Sequence, residues 1–272
     1  MAEKHFDLII IGAGPGGYVA AIRAAQLGMK VACVDRRATL GGTCLNVGCI
    51  PSKALLNASE QFAKVNDGTL ADLGITVGSA KLDLARMQAA KDEIVTSLTS
   101  GIAFLFKKNK ITRLEGEARI DGAGAVTLTS GADEGSYSCE RILIATGSHA
   151  SSLPGVEIDE RYIVSSTGAL ALTKLPKKLV VIGAGYIGLE LGTVWARLGV
   201  EVEVIEFLPR ILPGMDDEIA KKFMAIAKRQ GLSFRMKTAV KSAKASKTGV
   251  TLTVAPADGG NSETIKADVA LV

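Results

Sequence analysis

Phe6-Asp7-Leu8-Ile9-Ile10-Ile11-Gly12-Ala13-Gly14-Pro15-Gly16-Gly17 is an apolar, largely β-branched run that stops abruptly at a cluster of glycines. It recurs in form as Lys178-Leu179-Val180-Val181-Ile182-Gly183-Ala184-Gly185-Tyr186-Ile187-Gly188. A short continuous apolar run bounded by glycines reads as a buried strand, and the helix-like stretch behind each Gly-Ala-Gly-x-x-Gly gives strand, tight turn, helix. The first helix is expected to run to Leu27 and stop at Gly28, the second to Leu198 and stop at Gly199, because glycine ends helices in the left-handed conformation. Each is followed by a second short strand, Lys30 to Asp35 and Glu201 to Glu206, that closes on an acid.

Working outward, both halves continue alike. Glu115 to Ile144 and Ala239 to Val272 each read as a hairpin-rich meander of short alternating strands. The expected fold is therefore α/β: two tandem Rossmann-like dinucleotide-binding domains, each with a parallel sheet and a β-meander. The halves are expected at 1–149 and 150–272, with the seam where Ser, Pro and Gly cluster from Ser148 to Gly155. The last strand stops at Val272 without a following helix or polar tail, so the chain reads as the front part of a longer protein.

Composition narrows the classes. With 272 residues, a net charge of +4 and 47% hydrophobic residues, a disordered or collagen-like chain is excluded. Four cysteines cannot staple a chain of this length, and with only two histidines, neither near a cysteine pair, no metal site is expected. The longest apolar stretch, Leu8 to Ile22, is broken by glycines and a proline, and it falls short of the ~20 residues a membrane span needs. Met1-Ala2-Glu3-Lys4-His5-Phe6-Asp7 has no export or transit pattern, which makes the reducing cytoplasm the expected location. Thirty glycines against seven prolines point to many places where a backbone must come close to something.

A lone glycine motif is weak evidence; two copies, each between a strand and a helix and each followed by a strand ending in an acid, are specific. Gly12 and Gly183 permit the tight turn, Gly14 and Gly185 admit a pyrophosphate to the helix N-terminus, and Gly17 and Gly188 let helix and strand pack closely. Asp35 and Glu206 fit as acceptors for ribose hydroxyls. A carboxylate at Glu206 repels a 2′-phosphate, so the second site is expected to prefer NAD over NADP. Arg210, four residues on, is within chain reach of the same region.

Gly41-Gly42-Thr43-Cys44-Leu45-Asn46-Val47-Gly48-Cys49-Ile50-Pro51-Ser52-Lys53 has neither a Cys-x-x-Cys nor a zinc spacing. Five residues of ideal helix rise about 7.5 Å, beyond the roughly 4.4–6.8 Å between Cα atoms that a disulfide tolerates. A bond between Cys44 and Cys49 therefore requires a bent segment, which Gly48 and Pro51 permit; a pair of buried thiols is the equal alternative.

This segment, with the two glycine loops and Ala145-Thr146-Gly147, closely resembles the flavin-dependent pyridine nucleotide–disulfide oxidoreductases. Pro51-Ser52-Lys53, Gly185-Tyr186-Ile187-Gly188-Leu189-Glu190 and Glu206 to Asp216 resemble the branch that oxidises dihydrolipoamide; glutathione-type reductases usually carry lysine in place of Ser52, while mercuric reductases share Pro-Ser-Lys. The resemblance implies FAD held by Gly12, Gly14, Gly17 and Asp35, with Gly42, Thr43, Ala118, Thr146, Gly147 and Ser148 lining it. It implies NAD held by Gly183, Gly185, Tyr186, Ile187, Gly188, Glu190, Glu206 and Val240. Cys44 would be the exposed interchange thiol, Cys49 the flavin-side sulfur, and Lys53, near the flavin, would pair with Glu190. The implied partners are lipoyl domains and the E2 core of 2-oxo acid dehydrogenase complexes, and the implied assembly is a homodimer. A second FAD segment and an interface domain lending a His–Glu pair belong to the family pattern and do not occur before Val272, so the chain by itself is expected to be catalytically incomplete, or a non-catalytic dinucleotide-binding module.

The remaining candidates read as ordinary. His149 lies at the seam, Cys33 and Cys139 are expected as small buried hydrophobes, and Trp195 and the apolar positions of a helix over 84–106 as core. From Lys221 to Lys247 there are nine basic residues and no acid. A solvated helix face is the expected reading, against a patch that steers acidic partners. Aromatics do not interleave with this run, so no nucleic-acid partner is expected.

Overall fold

The computed structural model describes residues 4–272, so the expectation resting on Met1-Ala2-Glu3 lies outside the described residues. The chain forms two compact units: the described residues up to Pro51 with Asp92–His149, and Ser52–Lys91 with Ala150–Val272. A boundary thus falls between His149 and Ala150, but Ser52–Lys91 groups with the second unit instead of the first half of the sequence.

The elements to the first seam are β1 (His5–Ile11), α1 (Pro15–Gln26), β2 (Val31–Asp35), α2 (Gly42–Val47), α3 (Cys49–Asn66), α4 (Thr69–Asp72), α5 (Leu84–Lys108), β3 (Thr112–Glu115), β4 (Ala118–Gly122), β5 (Ala125–Leu128) and β6 (Gly135–Ile144). Six strands make one sheet in the order β3-β2-β1-β6-β5-β4. The first three and β6 run parallel, whereas β4 and β5 join antiparallel, so the meander extends the parallel sheet. Strand β1 is buried on both faces, as the continuous Ile9-Ile10-Ile11 run requires. Ile10 packs with Ala21 and Ala24 of α1 and Ile102 and Phe106 of α5. Ile9 and Ile11 turn to the other face, with Val126, Leu128 and Tyr137. Burying each of these isoleucines stabilises the unit by ~1.5–3 kcal/mol.

The second unit adds β7 (Ile163–Val164), α6 (Ser166–Ala169), β8 (Lys178–Ile182), α7 (Tyr186–Arg197), β9 (Glu201–Ile205), α8 (Asp217–Arg229), β10 (Leu232–Arg235), β11 (Thr238–Ala245), β12 (Val250–Pro256), β13 (Glu263–Ala267) and β14 (Val269–Leu271). Its parallel sheet has the order β10-β9-β8-β14-β7, and β11-β12-β13 form a separate antiparallel sheet. Leu179 and Val181 face α7 and the fully buried Trp195; Val180 faces Leu252 and Val254 of the meander. The two halves differ where strand β6 is continuous and its counterpart is split into β13 and β14. Asp268 sits at the split, its carboxylate accepting the backbone N–H groups of Lys177 at 2.6 Å and Lys178 at 2.9 Å. Leu55 of α3 is buried in the α7 core with Leu82, Leu84 and Met87 packed against the same cluster, which is why Ser52–Lys91 belongs to this unit.

Two expectations need correction. Not all apolar positions of α5 are core: Ile102 and Phe106 are buried, but Ile94, Leu98, Phe104 and Leu105 are exposed, because only one stripe of a helix this long meets a packed neighbour. The basic run is not one helix face either. It spans α8, β10 and β11, and Arg235 within it is paired with Glu203 and Glu263. No helix among the described residues is long and apolar enough to cross a membrane.

Candidate functional site

The two glycine loops are built alike, bond for bond. Gly12 N–H donates to Val34 O at 2.7 Å, and Gly183 N–H to Ile205 O at 2.8 Å. Ala13 N–H donates to Asp35 Oδ2 at 2.8 Å, and Ala184 N–H to Glu206 Oε2 at 2.7 Å. The other carboxylate oxygen in each case accepts the N–H two residues on, Arg37 at 2.9 Å and Leu208 at 2.8 Å. The carbonyls of Ala13 and Ala184 accept Gly41 N–H and Leu212 N–H at 2.9 and 3.0 Å. Each acid therefore fixes its glycine loop from the end of the neighbouring strand, a role that reading it as a ribose acceptor missed. Each oxygen keeps a second lone pair for a ligand hydroxyl.

Sterics separate two kinds of glycine. A Cβ on Gly17 would stand 1.7 Å from Gly12 O, and one on Gly188 2.6 Å from Gly183 O, so the strand-to-helix crossing itself demands glycine there. At Gly14 the nearest atom to a Cβ is Gly42 Cα at 3.8 Å, and at Gly185 there is nothing within 4 Å. Their φ values, −72° and −74°, suit any residue. Nothing inside the chain requires glycine at Gly14 or Gly185, and the bare backbone there leaves room for a group approaching from outside.

The helix ends agree. Both α1 and α7 begin after these glycines with no side-chain cap and no acid in the first turn. Pro15 has no N–H and Gly17 N–H bonds Gly14 O, so Gly16 N–H is the donor left at α1, and the positive end of each dipole is open to an anion. By contrast α8 is closed by Asp216, whose side chain accepts the N–H groups of Glu218 and Ile219, and α6 by Ser165.

In the first unit Gly42 packs directly on Gly14, a Cβ there falling 2.5 Å from Gly14 Cα, and Gly12 packs on Ala145 and Thr146. Thr43 is exposed, as are Thr146, Gly147 and Ser148 beyond β6. Ala118 opens β4, and Gly116 just before it donates to Asp35 O at 3.1 Å. Between the two cysteines the helix breaks: α2 ends at Val47, Gly48 takes φ −142° and ψ −112°, and α3 starts at Cys49. Gly48 sits so near Cys44 that a Cβ would lie 3.4 Å from its Cα and 2.9 Å from Thr43 O. The ideal-helix separation therefore does not apply to this pair. Cys44 is half-buried against the α1 core and Cys49 is exposed, an order of exposure opposite to the one the resemblance implies for the interchange thiol. Cys33 and Cys139 are buried; burial, with the Asp35 charge second, pushes the Cys33 thiol up to about 12, and burial likewise raises Cys139.

In the second unit Lys53 Nζ reaches both Glu190 oxygens, at 2.6 and 2.7 Å. Lys53 is 58% exposed, and such a pair contributes only about 0–1 kcal/mol, so stability alone gives little reason for it. Tyr186 and Ile187 are exposed at the start of α7. Val240 packs with the meander core, and the chain beside it is tied to the acid through Thr238 N–H to Glu206 O at 2.9 Å. Arg210 is committed within its own turn: its guanidinium is held by Asp217 and by the carbonyls of Leu212 and Met215, closing the turn before α8. His149 is exposed, and among the described residues no group of three or more His, Cys, Asp or Glu could hold a metal ion.

The family model described as pyridine nucleotide-disulphide oxidoreductase matches residues 6–272. The chain is 55% identical over 271 residues to dihydrolipoyl dehydrogenase 3 of Pseudomonas aeruginosa, covering 99% of this chain and 58% of that protein. It is 52% identical over 267 residues to mitochondrial dihydrolipoyl dehydrogenase of Pisum sativum, covering 98% of this chain and 53% of that protein. Among solved structures it superposes on the Cu(II) complex of the HOCl-induced flavoprotein disulfide reductase RclA of Escherichia coli. The TM-score there is 0.82 at 25% identity, over 99% of this chain and 56% of that one. The chain thus spans a little over half the length of the relatives it matches.

Proposed function

This chain belongs to the pyridine nucleotide-disulphide oxidoreductase family, and on that premise we propose that it is the part of a dihydrolipoyl dehydrogenase that carries FAD on the Gly12 loop and NAD on the Gly183 loop. The observation that carries the reading is the pair of bare glycines, Gly14 and Gly185, at uncapped helix N-termini. Asp35 and Glu206 offer their remaining lone pairs to ribose hydroxyls. Glu206 also faces a 2′-phosphate with like charge, which favours NAD over NADP.

FAD bound in the first unit supplies the two-electron chemistry that links a dithiol to a nicotinamide. The chain's own part is thiol exchange between Cys44, Cys49 and a dihydrolipoyl group. On the family resemblance, and against the observed order of exposure, one substrate thiolate attacks Cys44 Sγ of a Cys44–Cys49 disulfide; an S–S bond forms to substrate and Cys49 leaves as a thiolate. The second substrate thiolate then attacks the substrate sulfur of that mixed disulfide and releases Cys44. The substrate ends as a cyclic disulfide, and its two electrons reside on the cysteine pair. Within the second unit the ammonium of Lys53 is held by Glu190.

Lipoyl domains of 2-oxo acid dehydrogenase complexes are the proposed substrates and a homodimer the proposed assembly. The cytosol is the proposed location, in line with the bacterial relative, although the pea relative is named as mitochondrial. Two-electron reduction of the FAD-loaded protein should produce a long-wavelength charge-transfer band, and Cys49→Ser should abolish it. A band that survives Cys49→Ser rules the assignment out. Because the chain spans 58% of its Pseudomonas relative, a dinucleotide-binding module without turnover is the second reading. NAD+-dependent oxidation of dihydrolipoamide by the purified chain would exclude that second reading.

A further inference from the structure

We infer that the second unit carries another anion site at the opposite end of β8 from the Gly183 loop, suited to a small dianion such as a phosphate monoester or a dicarboxylate. A cleft of ≈ 390 Å³ lies there between the chain entering β8, the β11–β12 turn and the end of β13. That volume is within the range that holds small ligands, about 300–1,000 Å³.

The charges lining it are divided unequally. Lys178 Nζ is committed to Glu201 Oε1 and Glu203 Oε2, both at 2.9 Å. The one lining carboxylate, Asp268, turns Oδ2 inward to the backbone N–H groups of Lys177 and Lys178. What faces the cleft uncommitted is mainly cationic. Lys177 and Lys266 are exposed and, among the described residues, have no carboxylate at ion-pair distance. On the turn the Ser246 hydroxyl is spent on Gly249 O at 3.1 Å and its oxygen accepts Thr248 N–H at 3.2 Å, which leaves the Thr248 hydroxyl beside the lysines. Strand register places one more lysine outside the cleft on the same face: Lys244 opposes Thr251 on β12, and Thr251 opposes Lys266 on β13, so Lys244, Thr251 and Lys266 form one row across the sheet. Two unpaired lysines and the Thr248 hydroxyl outweigh the single carboxylate of Asp268, whose Oδ2 is turned to the backbone, and favour an anion; lysines, as point charges, do not demand the planar fork that arginine imposes. The site is independent of which dinucleotide the Gly183 loop takes.

The test is amide chemical-shift mapping on the ¹⁵N-labelled chain, titrated with inorganic phosphate in one arm and succinate in the other, in the presence of NADH. Saturable shifts at Thr248, Gly249 and Lys266 with either dianion support the site, and the stronger arm identifies the anion chemistry. Lys177→Met and Lys266→Met should each weaken that binding about tenfold, the loss of one charged hydrogen-bond donor; both positions are exposed, so the fold tolerates them. Shifts confined to the Ala184–Ile187 amides, unchanged affinity in both variants, or a response to a polyglutamate peptide with none to either dianion would overturn the proposal.

Discussion

Replacing Glu206 by alanine tests the loop architecture at its most sensitive bond. The side chain is 8% exposed, and its two oxygens accept Ala184 N–H at 2.7 Å and Leu208 N–H at 2.8 Å. Hydrogen bonds to a charged group contribute ~1.5–3 kcal/mol each. Water entering the space left by the side chain recovers part of the loss, so Glu206→Ala should cost about 2–4 kcal/mol. Glu206→Gln keeps one acceptor but turns an amide NH₂ toward the other N–H, and should cost roughly half as much. Trp195, the single tryptophan of the chain, is fully buried in the second unit's core and reports its unfolding by fluorescence. With a urea dependence of about 1–3 kcal/mol per molar, the alanine variant should lower the midpoint by ~1 M or more. NADH affinity should fall in both variants. A midpoint equal to the parent's in Glu206→Ala, or glutamine costing more than alanine, would refute the claim that this carboxylate holds the loop.

The buried thiols should stay neutral through the working range, since Cys33 is held near 12 by burial. Alkylation after reduction, read by peptide mass at pH 8, should therefore modify Cys44 and Cys49 while sparing Cys33 and Cys139 until urea is added; early labelling of Cys33 contradicts this. The network of Lys178, Glu203 and Arg235 should leave a pH signature, because its salt bridges hold the Glu203 carboxyl below its ordinary value despite burial and the acids raise Lys178. Glu203's contribution is present above the carboxyl's unfolded pKa and is lost as pH falls through the lowered folded value; Lys178's is present below its unfolded pKa and is lost as pH rises through the raised one. Glu203→Gln should flatten the acid limb of stability against pH and cost about 1–3 kcal/mol at neutrality; an unchanged acid limb would count against it. Gly17→Ala, whose Cβ would stand 1.7 Å from Gly12 O, should lose flavin binding and soluble expression together, whereas normal flavin content would show that helix and strand can part without consequence.

Much of this was legible in sequence because the decisive signals are local. Apolar runs before Gly12 and Gly183, glycines ending α1 and α7, and acids at equal spacing all recur along the chain, and each lands on the element expected. What the sequence hid depends on contacts between distant residues. Nothing near Asp35 or Glu206 announces that their carboxylates are tied to Ala13 and Ala184; only the repeated spacing hints at it. Asp268 lies inside what the sequence presents as part of the last meander, yet it sits between β13 and β14 with its carboxylate on the N–H groups of Lys177 and Lys178, ninety residues away in sequence. The second unit claims Ser52–Lys91 through Leu55 and Met87, a choice made by packing partners that local pattern does not reveal. The choice left open at Arg210 is settled in the same way, by partners in the turn leading into α8.

The central claim is that the two bare glycines mark two different dinucleotide sites. Equilibrium binding of FAD and of NADH to the parent, Gly14→Val and Gly185→Val proteins tests it most directly, since neither position meets an internal clash at Cβ. The account predicts that Gly14→Val loses FAD and keeps NADH, and that Gly185→Val does the reverse. Loss of both ligands in either variant, or of neither in both, would contradict it.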